Sequence, residues 1–256
     1  MSGFVYSPER SDQILEMLAR KGKLSVSEIV ELFSISEATA RRDLNYLARE
    51  GKLRRYYGGA ILFQEAAPEE PILQRTLEQQ EEKERIGKAT AGLIEDGETI
   101  FLGSGTTVLQ VARNLAGRPL TVITNSLPII NLMADWPEIT LTALGGQFRS
   151  SERSFIGHIT DKFIQDLRAN KVIIGIRAIS LEHGLTNDYM PETITDRAIL
   201  KMGQKVLIVA DHTKFDRVST VHVAPVEDVD TIITDKLVPA GYIEDLRSRN
   251  VELIVV

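Results

Sequence analysis

The sequence contains no cysteine, and no apolar run approaches the length of a membrane span. Without cysteine, disulfides and thiolate metal sites are excluded, and a reducing compartment is permitted. The N-terminus also lacks the basic, apolar and small-residue pattern of a secretory signal. We therefore expect a cytoplasmic protein that does not contact a membrane. The few histidines show no metal-ligand spacing, so we expect neither a metal nor a cofactor; they are His158, His183, His212 and His222.

Positive charge is also scarce, since the net charge over 256 residues is −6. Taken alone, this value disfavours a nucleic-acid partner. The charge is unevenly distributed, however, because residues 1–60 carry +2 and the remainder carries −8. Between Arg41 and Arg55, six basic residues stand against Asp43 and Glu50. Such a local positive field can attract phosphate while the acidic remainder limits non-specific binding.

Three helices are predicted at the start of the chain, at about residues 8–20, 26–33 and 37–50. Ser25 and Glu28 have the spacing of a capping box, Ser36 can cap the third helix, and Gly51 can end it. Two short helices, a tight turn and a longer third helix are typical of a helix-turn-helix, whose third helix enters the major groove. Residues 52–61 indicate a two-stranded wing with a Gly58-Gly59 turn. A helical cap or dimerisation module is the alternative interpretation.

The third helix and the wing carry the predicted contacts with double-stranded DNA. Adjacent arginines on an exposed helix face, followed by a basic and aromatic ribbon, suit a polyanion with a groove. The predicted DNA-binding residues are Ser36, Glu37, Thr39, Arg41, Arg42, Asn45, Lys52, Arg54, Arg55 and Tyr57. One such domain covers few base pairs. We therefore expect a homodimer or homotetramer on repeated half-sites, assembled through the C-terminal part of the chain.

Residues 63–76 are predicted to be a linker, with a DNA-binding domain at 1–62 and a second domain at 77–256. In the second domain, helices alternate with short apolar runs. The predicted strands lie near 99–102, 120–124, 139–143, 172–176, 206–210, 221–223, 231–234 and 253–256. This pattern indicates an α/β domain with a mainly parallel sheet that is covered on both faces. Ligands of such sheets bind at the carboxyl ends of the strands.

Four polar loops follow predicted strands and form the candidate effector site. The loop at 103–107 combines glycines and hydroxyls at the start of a helix, which suits a phosphate; a plain strand-to-helix turn is the alternative. For the loop at 124–126 the alternative is simple helix capping, and for Lys214 in the loop at 211–215 it is an ordinary surface ion pair. The predicted effector-binding residues are Gly103, Ser104, Gly105, Thr106, Thr107, Thr124, Asn125, Ser126, Gly145, Gly146, Arg149, Arg177, Glu192, Asp211 and Lys214.

The chain resembles the DeoR family of bacterial sugar-operon repressors. The family's helix motif is matched by Ser36, Thr39, Arg41, Arg42, Asp43 and Leu44, and its terminal motif by Arg55, Gly58, Gly59 and Ala60. The polar loops are similar to those of the family's effector domain, which is ribose-5-phosphate-isomerase-like. The resemblance implies a winged helix-turn-helix domain joined to that α/β domain. It also implies repression of a carbohydrate-utilisation operon, relieved by a phosphorylated sugar or a related anionic metabolite.

The chain departs from the family pattern after the fourth main strand. Many members carry Gly, one residue and Asp there, whereas this chain has Gly175, Ile176 and Arg177. An arginine in place of an acid favours an additional anionic group on the effector. The alternative is that Arg177 forms an ion pair with Glu192 or Asp188.

Two other functions are consistent with the pattern. One is a sugar-phosphate isomerase or deaminase that carries a DNA-binding domain, and the other is a DNA binder that has no ligand. The isomerase relatives use an acidic cluster after the fourth strand, and its replacement here by an arginine-containing loop disfavours the enzyme. Glu192 and Asp211 are the remaining candidate bases. The polar loops disfavour a protein without a ligand.

Overall fold

The computed structural model describes residues 8–21, 23–50, 52–56, 58–62, 64–65 and 71–256. Contacts divide the chain into two compact units, Met1–Gln64 and Glu65–Val256. The division falls within the predicted linker, whose limits at 63 and 76 stay predictions. Within the described part of the chain, no helix is long and apolar enough to cross a membrane.

The first unit contains three helices and a small sheet. In chain order, the elements are α1 Pro8–Lys21, β1 Lys23–Ser25, α2 Val26–Phe33, α3 Glu37–Arg49, β2 Leu53–Tyr56 and β3 Gly59–Leu62. The predicted capping box begins α2, because Ser25 Oγ accepts from the backbone N of Glu28 and the Glu28 carboxylate accepts from the backbone N of Ser25. The helix-turn-helix prediction is confirmed.

The predicted wing has a third strand. The antiparallel sheet has the order β1-β3-β2, so β1 pairs with the inner strand of the hairpin. The sequence pattern gave no sign of β1, since three residues are too few to show an alternation. Apolar side chains from all three helices form the core of the unit; they include Ile14, Leu18, Ile29, Ala40, Leu44 and Leu47.

The second unit is an α/β domain. Its elements are β4 Gln64–Glu65, which straddles the division, then α4 Gln80–Ala91, β5 Thr99–Leu102, α5 Thr106–Arg113, β6 Leu120–Thr124, α6 Leu127–Met133, β7 Ile139–Ala143, β8 Gln147–Arg149, β9 Ser154–Ile156, α7 His158–Gln165, β10 Ala169–Ile174, β11 Ala178–Ser180, β12 Gly184–Asn187, α8 Met190–Leu200, β13 Gly203–Val209, β14 Arg217–Val218, β15 Val221–Ala224, β16 Thr231–Thr234, α9 Gly241–Ser248 and β17 Glu252–Val255. Two 3-10 turns lie at His212–Lys214 and Val226–Asp228.

The main sheet has seven strands in the order β17-β16-β13-β10-β5-β6-β7, and every neighbouring pair is parallel. Successive strand residues alternate between two apolar cores. Phe101 and Ile174 belong to the core on one face, while Ile100, Leu102 and Ile173 belong to the core on the other. The predicted parallel, doubly covered sheet is confirmed.

The smaller sheets of this unit were not predicted. They include the β8–β9 hairpin and a sheet with the antiparallel order β11-β12-β15. The prediction that 221–223 is a strand is confirmed, but β15 lies in this small sheet and not in the main one. These strands are three or four residues long, too short to show the continuous apolar run that marked the main strands.

Strand order explains where the candidate site lies. The chain adds β6 and β7 on one side of β5, and β10 then returns to the other side of β5. At such a reversal the connections leave in opposite directions and open a crevice at the carboxyl ends of the two central strands. The loops after β5 and β10 therefore face each other. An added Cβ at Gly103 would lie 2.9 Å from Ile174, which shows how closely these two strand ends approach.

Candidate DNA-contact surface and effector cavity

Helix α3 begins with a side-chain cap. Ser36 Oγ accepts from the backbone N of Thr39 at 3.2 Å, and the two hydroxyls are 2.8 Å apart. Ser34, which follows the last residue of α2, has a φ of 49°, and this backbone conformation ends α2 and sets the tight turn. The hydroxyls of Ser36 and Thr39, both predicted DNA contacts, thus also fix the start of the recognition helix.

An exposed stripe runs along α3 at helical spacing. Its members are Ala38, Arg41, Arg42, Asn45 and Arg49, while Ala40, Leu44 and Leu47 are buried on the opposite face. Ala38 and Arg49 were not among the predicted contacts. The i, i+3 and i+4 spacing to the arginine pair is the signal that points to them. The stripe combines guanidinium groups, which suit guanine or phosphate, with a methyl group that suits thymine.

The two adjacent arginines differ in their surroundings. Arg41 donates from Nε to Glu37 Oε1 at 2.9 Å, and its ion pair with that carboxylate is 2.5 Å long. Both side chains are more than half exposed, so this pair holds little energy and can open for phosphate. The Arg42 side chain is exposed and makes no hydrogen bond or ion pair to any other described residue. Arg42 is therefore the better placed of the two for a new contact.

Arg55 connects the wing to α3. Its NH1 group donates to Asn45 Oδ1 at 2.8 Å and to Arg41 O at 3.0 Å, and its Nε donates to Gly59 O at 3.1 Å. Partial burial, with the nearby Arg41 charge, lowers the pKa of Arg55. Arg55 and Asn45 were predicted as DNA contacts, but in this structure their polar groups pair within the protein and fix the wing against the helix.

The remaining predicted contacts lie partly outside the described residues. Lys52 is exposed at the start of the wing. Arg54 lies in β2, but only its backbone is described, and Tyr57 and the predicted helix end at Gly51 lie outside the described residues. The DNA contacts of Lys52, Arg54 and Tyr57 stay predictions, and so does the helix end at Gly51.

Asp43 of the helix motif is a structural residue. It is 1% exposed and accepts from Arg10 Nε at 2.6 Å. This buried ion pair ties α1 to α3 and so fixes the orientation of the recognition helix. Removal of one partner of such a pair leaves a buried charge and is strongly destabilising.

A cavity of about 360 Å³ lies at the carboxyl ends of the central strands, and we call it the strand-end cavity. Loops after β5, β6, β10 and β13 contribute to it, as the strand order predicts. It is lined by Arg75, Glu78, Gln79, Lys83, Gly103, Ser104, Gly105, Thr106, Thr107, Asn125, Glu152, Ile174, Gly175, Ile176, Arg177, Asn187, Glu192, Asp196, Ile199, Val209, Ala210, Asp211, Thr213, Lys214 and Arg217. Its volume suits a small metabolite.

One end of the cavity has the features of an anion site. Gly105 has a φ of 128°, a backbone conformation that L side chains rarely adopt, and α5 starts directly after it. No described side chain caps α5, so the first N–H groups of the helix have no side-chain acceptor. These groups and the positive end of the helix dipole lie beside the cavity-lining residues 103–107. Thr106 and Thr107 are buried and line the same wall. A phosphate bound here would accept hydrogen bonds from both the backbone and the hydroxyls.

Lys83 adds a buried cation to the cavity wall. It is 4% exposed, and its Nζ donates to the backbone oxygens of Arg75 at 2.8 Å and Glu78 at 2.5 Å. Burial lowers the pKa of Lys83, while the charges of Asp211 and Glu78 oppose that shift. Asp211 itself caps the following turn, because its Oδ1 accepts from the backbone N of Thr213 at 3.0 Å. Asp211 thus caps a turn as well as lining the cavity.

The other polar groups of the cavity suit hydroxyls. Asn125 is 4% exposed; its Nδ2 donates to Phe155 O at 3.0 Å, while its Oδ1 has no hydrogen-bond partner among the described residues. Asp196 accepts from Asn187 Nδ2 at 2.5 Å. Burial raises the pKa of Asp196 to about 7, against the opposing influence of Arg149 and of this hydrogen bond. A sugar hydroxyl can donate to Asn125 and exchange hydrogen bonds with Asp196.

Arg177 lines the cavity and lies close to Asp188. It is 9% exposed, and its Nε lies 3.8 Å from Asp188 Oδ2. Glu192, the other acid considered for it, forms an ion pair with Arg149, whose guanidinium lies 4.4 Å from the centroid of the Tyr189 ring. The ion-pair alternative for Arg177 is therefore present in the structure. A local surplus of positive charge, which an additional anionic group would require, is not.

Two family models match the chain. The DeoR C terminal sensor domain matches residues 78–236, and the DeoR-like helix-turn-helix domain matches residues 10–66. The chain belongs to the DeoR family. It is a transcriptional regulator, and the family resemblance seen in its sequence motifs is confirmed.

Similar proteins include named repressors. The transcriptional repressor AccR of Agrobacterium fabrum is 35% identical over 91% of this chain and 91% of its own length. The glycerol-3-phosphate regulon repressor of Escherichia coli is 34% identical over 96% of this chain and 97% of its own length. Among solved structures, ribose 5-phosphate isomerase A from Methanocaldococcus jannaschii is 17% identical, covers 53% of this chain and 54% of its own, and has a TM-score of 0.39.

In this DeoR-family chain, the structure brings most of the predicted effector residues to one cavity. Those that line it are Gly103, Ser104, Gly105, Thr106, Thr107, Asn125, Arg177, Glu192, Asp211 and Lys214. Their loops follow four different strands, so the site is indicated by the set of loops together and not by any one of them.

Five predicted effector residues do not line the cavity. Thr124 is fully buried and its hydroxyl donates to Leu102 O at 2.6 Å, so it joins the ends of β5 and β6. Ser126 is buried before α6 but does not cap it with its side chain. Gly146 packs against Thr160, where an added Cβ would meet Oγ1 at 2.1 Å, and Gly145 O accepts from that hydroxyl. Arg149 acts behind the wall, through Glu192.

Several cavity residues were missed by sequence reasoning. They are Arg75, Glu78, Gln79, Lys83, Glu152, Asn187, Asp196, Thr213 and Arg217. Among all the wall residues, basic and acidic side chains are equal in number. Attraction for an anion therefore arises from the α5 terminus and from local placement of Lys83 and Lys214, and not from the net charge of the cavity.

Proposed function

We propose that this DeoR-family regulator is a repressor of a carbohydrate-utilisation operon. In this proposal, a phosphorylated sugar or a related anionic metabolite binds in the strand-end cavity and relieves repression. The observation that carries the proposal is the juxtaposition, in one cavity, of an uncapped helix start with buried cations and with buried hydroxyl-binding groups.

The phosphate is assigned to the end formed by residues 103–107. Backbone N–H groups at the start of α5, with the Thr106 and Thr107 hydroxyls, supply donors in the arrangement that phosphates use. Lys83 and Lys214 line the same cavity and supply charge. Charge-assisted hydrogen bonds of this kind are roughly twice as strong as neutral ones.

The sugar is assigned to the end formed by Asn125, Asn187 and Asp196. The unpartnered oxygen of Asn125 gives a buried acceptor that a hydroxyl would satisfy, and a polar site of this kind rejects analogues that lack the hydroxyl. Arg177 lies close to Asp188, and the charges there are balanced. We therefore favour one phosphate and several hydroxyls over a ligand with two anionic groups.

The relatives support the same assignment. One of them is named for the glycerol-3-phosphate regulon, and the identity extends over nearly the whole of both chains. A phosphorylated three-carbon polyol has the two features that the cavity provides for, an anionic group and hydroxyls. The cavity volume also admits pentose and hexose phosphates.

On the DNA side, we propose that α3 reads the major groove through Arg42 and the exposed stripe around it. The protein would act in the cytoplasm. It would bind as a homodimer or homotetramer, because a single recognition helix contacts few base pairs. Sedimentation of the purified protein tests the assembly. A monomer at the concentrations that bind the operator would contradict it.

One observation favours a second function, that of an enzyme. A carboxyl whose pKa is raised to about 7 in a polar cavity is the kind of group that catalyses proton transfer. We propose instead that Asp196 binds a hydroxyl. Incubation of the protein with sugar phosphates, followed by product analysis, distinguishes the two; turnover that disappears in Asp196→Asn would establish the enzyme.

The experiment that tests the proposed function is binding of operator fragments, taken from upstream of the gene, in the presence of glycerol 3-phosphate, pentose 5-phosphates, hexose 6-phosphates and inorganic phosphate. We expect one sugar phosphate to release the DNA. Lys214→Ala, which removes a cavity cation, should require more of that compound, whereas Lys162→Ala on the exposed side of α7 should not. Operator binding that no compound weakens would contradict the proposal.

A further inference from the structure

The segment that enters the effector unit is anchored beside the cavity. We call residues 71–79 the strap; in the sequence they lie between the DNA-binding unit and α4. The backbone N of Ile72 donates to Ser151 O at 2.8 Å, and the Ile72 side chain is buried. Arg75 forms a 2.5 Å ion pair with Glu152, and these two side chains are only 10% and 7% exposed. The strap is thus attached to two consecutive residues of the turn between β8 and β9.

Both partners of this ion pair face the strand-end cavity. Arg75 and Glu152 line its wall, and so do Glu78 and Gln79 from the same strap. An anionic ligand in the cavity therefore meets a guanidinium that already has a carboxylate partner. In a buried site, a second anion competes directly with the first, because both need the same donors.

Lys83 makes a second link between the strap and the cavity. Its Nζ holds the backbone oxygens of Arg75 and Glu78, which are both strap residues, while the side chain lines the cavity. A phosphate at the start of α5 would draw the same ammonium group toward itself. The strap carbonyls would then lose part of their hydrogen bonding.

The strap has little apolar anchorage to resist such a change. Leu73 is 66% exposed and Leu77 is 79% exposed, so of its larger apolar side chains only Ile72 is buried. Polar contacts that face the cavity hold the rest. Because the strap has few buried apolar contacts, a change in its arrangement requires little free energy.

We propose that the strap couples the strand-end cavity to the DNA-binding unit. An anionic ligand exchanges with Glu152 at Arg75 and with the strap carbonyls at Lys83, and the strap, which continues in sequence toward the DNA-binding unit, changes its arrangement. A ligand shifts a conformational equilibrium only through such differential contacts. This inference rests on the proposed function and names how that function is regulated.

The first test compares two matched variants of the full-length chain. Glu152→Gln removes the anionic partner of Arg75. Glu98→Gln removes the partner of Lys171 in a comparably buried 2.5 Å ion pair. Glu98 directly precedes β5, so this pair lies at the amino ends of the strands, away from the cavity at their carboxyl ends. The measurement is the ratio of operator affinities without and with a saturating sugar phosphate from the panel named above. Because the compound is saturating, this ratio does not depend on the affinity for the compound.

We expect an operator-affinity ratio of roughly 5–150 in the wild type and in Glu98→Gln, the range typical of allosteric coupling. In Glu152→Gln the ratio should fall to below about 3, since the competition at Arg75 has been removed. An unchanged ratio in Glu152→Gln would overturn the role of the strap.

The second test uses the absence of cysteine from the chain. A fluorophore attached to Leu77→Cys reports on the strap, and one attached to Asp166→Cys, exposed at the end of α7, is the control. We expect the saturating sugar phosphate to change the emission of the first label and not of the second. No change at Leu77→Cys, in protein shown by calorimetry to be saturated, would overturn the inference.

The outcomes separate the two proposals. If a compound binds and releases the operator but the strap variants behave as the wild type does, the strap inference fails and the proposed function stands. If no compound of the panel binds to the wild-type protein or releases its operator, the proposed function fails, and the strap inference fails with it.

Discussion

At the residue scale, the structure separates side chains that hold the recognition helix from those that are available to DNA. Asp43 and Arg55 are engaged within the unit, the first with Arg10 and the second with Asn45. Arg41 is held loosely by Glu37. Arg42 lies on the exposed stripe and has no bond to another described residue. The sequence motif contains all of these residues, but only the structure distinguishes their roles.

This distinction predicts that Arg42→Ala weakens specific operator binding by about 1–3 kcal/mol, the contribution of a good bidentate contact to a base. Fluorescence anisotropy with the operator and with a scrambled duplex measures the effect. Arg85→Ala, an exposed arginine on α4, is the control and should bind as the wild type does. Operator affinity that Arg42→Ala leaves intact would show that another residue reads the bases.

Asp196 gives a prediction about pH. Its pKa is raised from 3.8 to about 7 in the folded protein, chiefly by burial and further by Glu152 and Asp161, while Arg149 and Asn187 oppose the shift. The folded state therefore holds this proton more tightly than the unfolded state does. The resulting contribution to stability is complete below about pH 4 and is lost as the pH rises through 7.

Asp196→Asn does not titrate, so the variant should gain stability relative to the wild type as the pH rises from 4 to 8. We expect a gain on the order of 1–4 kcal/mol. Urea unfolding at several pH values measures it. A difference between the two proteins that is constant over this range would show that Asp196 is already ionised in the folded state.

Sequence reasoning missed Lys83 because of its charged neighbours in the sequence. Charged residues occupy five consecutive positions, 81–85, and such a run is typical of a solvated helix face. Only tertiary packing turns Lys83 inward, where it is 4% exposed while its neighbours remain largely accessible. Residues in strand-end loops were easier to predict, because the position of the loop already assigns them to one edge of the sheet.

At the element scale, the loop between β5 and α5 is the central feature of the effector unit. Gly105 permits the turn with its φ of 128°, and Gly103 permits the close approach of the neighbouring strand. The loop thereby presents the start of α5 to the cavity. A substitution that changes the backbone here should affect ligand binding as well as stability.

Gly105→Ala and Gly97→Ala form a matched pair. Both glycines have a positive φ, and an added Cβ would have no contact shorter than 3.8 Å at either position. Each substitution should cost about 1–3 kcal/mol of stability through backbone strain. Only Gly105→Ala should also weaken binding of the sugar phosphate, because Gly97 precedes β5 and so lies at the amino ends of the strands, away from the cavity. Calorimetry and thermal melting measure both quantities, and equal ligand affinity in the two variants would contradict the phosphate assignment.

The elements that the sequence predicted well share one property. The main-sheet strands are continuous apolar runs bounded by helices, and β5, β6, β7 and β16 have the limits that the pattern indicated. The β8–β9 hairpin and the β11-β12-β15 sheet lack such runs. Their pairing depends on partners distant in sequence, and periodicity within a short segment carries no information about those partners.

At the scale of the whole molecule, the two units have opposite charge balance and distinct tasks. The first 60 residues carry +2 and the others −8, a distribution that suits local attraction of DNA by the first unit and weak non-specific association through the second. The family membership makes the chain a regulator, and the proposed function requires the two units to influence each other. That requirement was readable from the sequence, but the strap that we assign to it was not, because its anchors lie 77 residues apart.

Thermodynamic reciprocity tests this requirement most directly. If a sugar phosphate weakens operator binding by a given factor, the operator must weaken binding of that sugar phosphate by the same factor. Calorimetric titration of the protein with the compound, alone and saturated with operator, should therefore give affinities that differ by the factor measured in the DNA-binding experiment. Equal affinities with and without the operator would show that the cavity does not control DNA binding, and would contradict the account.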